Sequence, residues 1–103
     1  MSRIAKLKEL LETNKEDSFL QHALALEYIK EGDDSTARTL FETILLREPS
    51  YTGSYYHLGK LLERQNDIRS AIDWYEKGMI ICKTADDRHA YNELQGALEE
   101  ITD

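Results

Sequence analysis

Chemically matched residues recur along this chain at a fixed distance of 34 positions: Leu24 and Leu58, Gly32 and Asn66, Asp33 and Asp67, Ala37 and Ala71, Glu42 and Glu76. A period of this size belongs to chains that stack small supersecondary units, each covering its apolar face with the next, rather than to a closed bundle around one centre. Within each period, apolar residues return at helical spacing. Ile4, Leu7, Leu10 and Leu11 mark one helix, and Leu20, Leu24 and Tyr28 a second. Leu40, Phe41, Ile44 and Leu45 mark a third, and Tyr55, Leu58 and Leu62 a fourth. Ile68, Ala71, Ile72, Tyr75 and Met79 give a fifth, and Tyr91, Leu94, Leu98 and Ile101 a sixth. No segment alternates with period two, so the spacing predicts an all-α fold of six helices and no sheet.

The breaks have local causes. Ser18-Phe19-Leu20-Gln21 has the form of a capping box, and Asp34 and Asp67 are placed to cap the third and fifth helices. Gly32 and Asn66 follow the second and fourth helices and are suited to the left-handed conformation that ends a helix. Pro49 disfavours helix at Glu48 and so stops the third. Connections this short make successive helices antiparallel.

These residues carry a resemblance to the tetratricopeptide repeat family, whose pattern is W-x2-L-G-x2-Y, A-x3-F and P over 34 positions. It falls on Gln21, Leu24, Ala25, Tyr28, Ala37, Phe41 and Pro49, then on Tyr55, Leu58, Gly59, Leu62, Ala71, Tyr75 and Lys83, where the proline is missing. It restarts at Tyr91, Leu94, Gln95 and Leu98. The resemblance implies a single domain over 1–103, a short α-α solenoid. Its parts are a half-repeat helix over 1–17, repeats over 18–51 and 52–87, and a capping helix over 88–103. Leu7 then takes the aromatic place of the leading half-repeat and Arg3 its small-residue place. Ala25, Gly59, Ala37 and Ala71 lie where paired helices cross, and Tyr28, Phe41, Tyr55 and Tyr75 fill the wedges between them.

The resemblance also implies a concave groove lined by the first helix of each repeat. Its wall would comprise Phe19, His22, Leu26, Ile29 and Lys30, then Gly53, Tyr56, Lys60, Glu63 and Arg64, then His89, Asn92, Gly96, Glu99 and Glu100. Lys30, Lys60 and Arg64 would form a small basic cluster, suiting a peptide or helix with an apolar anchor and an acidic group. Lys30 and Arg64 also stand at helix C-termini, which favour a cation without any ligand, and Phe19 can staple the start of its own helix. The clamp that holds chaperone C-terminal carboxylates in some members would need Lys, Asn and Arg where this chain has His22, Leu26, Lys60, Asn92 and Gly96, so that binding is not expected.

Charge narrows the alternatives. Thirteen basic against twenty acidic side chains leave a net charge of −7, contrary to the basic footprint of nucleic-acid binding or of an anionic membrane surface. Residues 88–103 hold four acids and one base, which solvates a terminal helix and can attract a basic segment. Cys82 is the only cysteine, so neither an internal disulfide nor a cysteine zinc site can form, and its surroundings suit a small buried hydrophobe. Asp33-Asp34 and Asp86-Asp87 precede helices and read as caps rather than catalytic pairs. His22, His57 and His89 are too dispersed for a ligand-spaced motif, and no phosphate loop or nucleophile elbow is present.

The expected function is therefore a cytoplasmic, non-catalytic protein-interaction module without cofactor or metal. Two alternatives stay open. One is a homodimer built on Leu7, Leu10 and Leu11. The other is a small-molecule or metal binder using His22, Lys60 and His89.

Overall fold

A computed structural model describes residues 2–102 as six helices, with no strand among them: α1 (Arg3–Thr13), α2 (Ser18–Lys30), α3 (Asp34–Arg47), α4 (Gly53–Arg64), α5 (Ile68–Thr84) and α6 (Arg88–Thr102). One turn geometry is used three times. Gly32, Asn66 and Asp86 take positive φ angles of 81°, 62° and 56°, closing α2, α4 and α5. The next residue is an aspartate in each case. Its amide donates back to Tyr28, Leu62 or Cys82 at 2.8–2.9 Å, satisfying a carbonyl of the helix just ended. Its carboxylate accepts the amide of Thr36, Ser70 or Ala90 at 3.1–3.3 Å, satisfying a free donor of the helix about to begin.

Two expected caps are thereby corrected. Asp33 caps α3, and Asp34 is the first helical residue. At α2 the cap is Asp17, which accepts from the Leu20 amide at 3.0 Å, so Ser18 is free for other bonds. The Ser18 hydroxyl donates to Glu48 at 2.6 Å and accepts from Arg47 at 2.8 Å, and Arg47 also donates to Gln21 at 2.8 Å. Ser18 and Gln21 are buried, and Arg47 on α3 supplies the partners they lose by leaving water.

Each helix packs on its neighbours in sequence, and α6 also reaches α4, giving a layered body of 43 × 29 × 19 Å. The core runs along the layers through Ala25, Ala37, Phe41, Leu45, Tyr55, Leu58, Leu62, Ala71, Tyr75 and Leu94. Where α4 and α5 cross, glycine and aromatic side chains interlock in both directions. A Cβ on Gly59 would overlap the Tyr75 ring, and one on Gly78 would come within 2.7 Å of Tyr55. Tyr55 also fixes the loop before its own helix, its hydroxyl donating to the Pro49 carbonyl at 2.6 Å. Of the four aromatic wedges, Tyr28 alone is only half-buried, and on the α1 side it meets the Lys8 ammonium, 5.8 Å from its ring centre. Arg3 avoids the crossing by turning outward to Glu27 at 3.2 Å.

α4 begins without a side-chain cap, since Thr52 is itself helical in conformation and its hydroxyl donates to Asp87 at 2.8 Å. Asp87 thus holds the start of α6 and the start of α4 together.

Candidate functional site

α2, α4 and α6 alternate with the helices that back them, and side chains join α2 to α4 directly. His22 shares a 2.8 Å hydrogen bond with Ser54. Its ring lies 5.4 Å from that of His57, 5.5 Å from Phe41 and 5.6 Å from Tyr51. His57 stacks over Phe41 on one side and meets the edge of Tyr56 on the other. Burial in this aromatic nest pushes the His22 imidazole down to about 4, with His57 adding to the effect. Burial lowers His57 as well, opposed by the Glu93 carboxylate of α6 and reinforced by Arg64. Both rings are therefore neutral structural joints near neutral pH. Sequence reasoning placed His22 on the wall but missed Ser54 and His57 as its partners, since they lie 32 and 35 residues away.

The remaining expected residues divide by surroundings. Phe19 is 69% exposed at the start of α2, while Leu26, Ile29 and Tyr56 are half-buried. Each of the three cations lies near a carboxylate. Lys30 lies 3.3 Å from Glu27, which Arg3 shares, Lys60 3.8 Å from Glu63 and 5.7 Å from the Tyr56 ring, and Arg64 bonds both oxygens of Asp34 at 3.0–3.1 Å. The positive charge of the expected basic cluster is thus partly offset by this chain's own carboxylates. Glu63 has a further partner in the Tyr75 hydroxyl. On α6, His89, Asn92, Gly96, Glu99 and Glu100 are exposed, and none of its carboxylates has an ion-pair partner among the described residues.

Three depressions lie beside the α5–α6 turn near Cys82 and Tyr91, between α5 and α6 near Met79 and Leu98, and between α1, α2 and α3 near Tyr28 and Leu40. Only Asn92 of the expected wall touches any of them. No metal-holding group of three acidic, histidine or cysteine side chains occurs among the described residues. Of the leucines expected to pair with a second copy, Leu7 is buried, Leu11 is half-buried and Leu10 is exposed.

Residues 52–79 match the family model for the tetratricopeptide repeat. The chain is 39% identical to a tetratricopeptide repeat domain protein from Salinibacter ruber. The match covers 82% of this chain and 93% of that one, and the crystal structure superposes with a TM-score of 0.78. The chain belongs to the tetratricopeptide repeat family. A TPR repeat-containing protein of Pseudomonas aeruginosa is 24% identical over 95% of this chain and 93% of its own length. A solution structure from Bordetella parapertussis, at 23% identity and a TM-score of 0.83, shares the fold over 97% of this chain. The aspartyl/asparaginyl beta-hydroxylase of Mus musculus is 26% identical over 92% of this chain, which spans only 13% of that enzyme.

The tetratricopeptide repeat is a general protein-interaction fold, and its family is generally non-catalytic. The family match over 52–79 takes in α4 and most of α5. Tyr91, Leu94 and Leu98 of α6 repeat the residue classes of Tyr55, Leu58 and Leu62 of α4, with Gln95 in the place of Gly59. No helix among the described residues is long and apolar enough to cross a membrane.

Proposed function

We propose that the chain is a non-catalytic adaptor that holds a segment of a partner protein on the wall formed by α2, α4 and α6. Its working units are the half-repeat 1–17, the repeats 18–51 and 52–87, and the capping helix 88–103. The observation that carries this reading is the His22–Ser54–His57 joint. It makes two first helices one continuous surface while Phe19 stands 69% exposed at its edge. An exposed aromatic beside half-buried Leu26, Ile29 and Tyr56 offers an anchor of the kind that dominates peptide affinity. A compartment that keeps the buried Cys82 thiol reduced, such as the cytoplasm, suits such an adaptor.

Affinity capture from native extract tests the proposal, using the wild type beside Phe19→Ala, Tyr56→Ala and Lys60→Ala. Loss of the same partners from the aromatic variants, with unchanged melting, is the expected result. Partners that survive all three substitutions would remove the wall from consideration, even though the fold stands.

A further inference from the structure

Gly96 is the one helix-interior glycine whose missing side chain nothing in the fold explains. Gly59 and Gly78 are required by aromatic rings, Gly32 ends a helix with φ of 81°, and Gly53 is the first residue of α4. Gly96 lies in the middle of α6, where glycine weakens a helix, yet a Cβ there would meet nothing within 4 Å. A glycine kept in an exposed helix at a cost in stability leaves room for something to approach the backbone.

The charges around it say what. Glu93 and Glu100 precede and follow Gly96 by three and four residues, so the three share one exposed stripe of α6. The helix that carries it packs on α5 and also reaches α4. The α6 edge of the wall therefore carries carboxylates without an ion-pair partner among the described residues, whereas its Lys30, Lys60 and Arg64 each lie near a carboxylate of this chain. This reverses the acidic ligand that the basic residues suggested from sequence.

Resting on the adaptor reading, we propose that the partner segment is a basic peptide that crosses α6 at the Gly96 notch, with lysine or arginine side chains between Glu93 and Glu100 and an apolar residue directed toward Phe19. The glycine admits the peptide backbone, the two carboxylates hold its cations, and the aromatic edge supplies the anchor.

The test is selection of a random twelve-residue phage-displayed peptide library on the purified, immobilised full chain, followed by titration of the enriched synthetic peptides. Enriched sequences are expected to carry net positive charge and an apolar residue. Their affinity should fall about tenfold or more on Glu93→Gln/Glu100→Gln, on Gly96→Leu and at high salt, with no loss of melting temperature in either variant. Enrichment of neutral or acidic peptides lost on Phe19→Ala would overturn the basic partner and leave the adaptor wall standing. Peptides that bind all of these variants equally, or no enrichment at all, would overturn both.

Discussion

The ring of Tyr75 occupies the space that a side chain on Gly59 would need, and its hydroxyl is held by Glu63 one helical turn further along α4. The tyrosine is thus fixed at both ends and cannot swing aside. Gly59→Ala should therefore destabilise the protein by about 1–3 kcal/mol, although alanine is the better helix former. In a Tyr75→Ala background the same change should become neutral or stabilising, because the overlap has gone. Thermal melting of the four proteins in this cycle checks both statements.

Asp87 serves two helices through one carboxylate, accepting from the Ala90 amide at 3.1 Å and the Thr52 hydroxyl at 2.8 Å. Both bonds hold its carboxyl below the usual carboxylate range, the Thr52 bond most strongly. Asp87→Ala should cost about 1–2 kcal/mol, as loss of a helix cap does. Thr52→Val should cost about 0.5–1.5 kcal/mol. The double variant should lose less than the sum, since either change breaks the same bond, and urea denaturation would reveal the coupling.

The buried His22 makes stability depend on pH in a definite direction. Its folded-state value of about 4 lies below the ordinary 6.5, so the unfolded chain takes up a proton in that window and the folded chain does not. His22 imposes no penalty above the ordinary value. Stability should decline as pH falls through the window and level off below it. His57 is shifted in the same sense, whereas the lowered carboxyls of Asp33 and Asp87 act only at more acidic pH. Urea midpoints between about pH 7.5 and 4.5 should fall less for His22→Gln than for the wild type. Equal slopes would mean that the imidazole is hydrated in solution.

Gly96→Ala isolates the fold's view of the notch from that of any ligand. With open space around the new methyl group, the substitution should stabilise α6 by about 0.5–1 kcal/mol. Scanning calorimetry would show a higher melting temperature, the opposite sign to Gly59→Ala, from the same chemical change in the same kind of helix.

The six helices and their stacking were legible because the 34-residue period fixes residue class at every crossing, and alanine, glycine and large aromatics are each hard to replace there. Helix starts were less legible. Asp33 and Asp34 are chemically identical, and only the positive φ of Gly32 decides which of them stands outside the helix. Asp86 hid its left-handed conformation because aspartate adopts it less readily than the glycine and asparagine of the two earlier turns. The wall residues could be placed on helices from their spacing, but their charge state could not. Arg64 finds Asp34 thirty residues away, at the foot of another helix, a pairing that no local spacing announces. Gly53, Gly59, Gly78 and Gly96 look alike as letters. What separates them is whether a neighbour's ring or open solvent lies beyond the Cα.

The layered packing also sets the order in which the molecule comes apart. α1 rests principally on α2, whereas α4 is gripped by α3, α5 and α6 together. Opening is therefore expected to begin at α1 and to reach α4 last. The middle of the proposed wall then coincides with the helix whose amides should exchange most slowly.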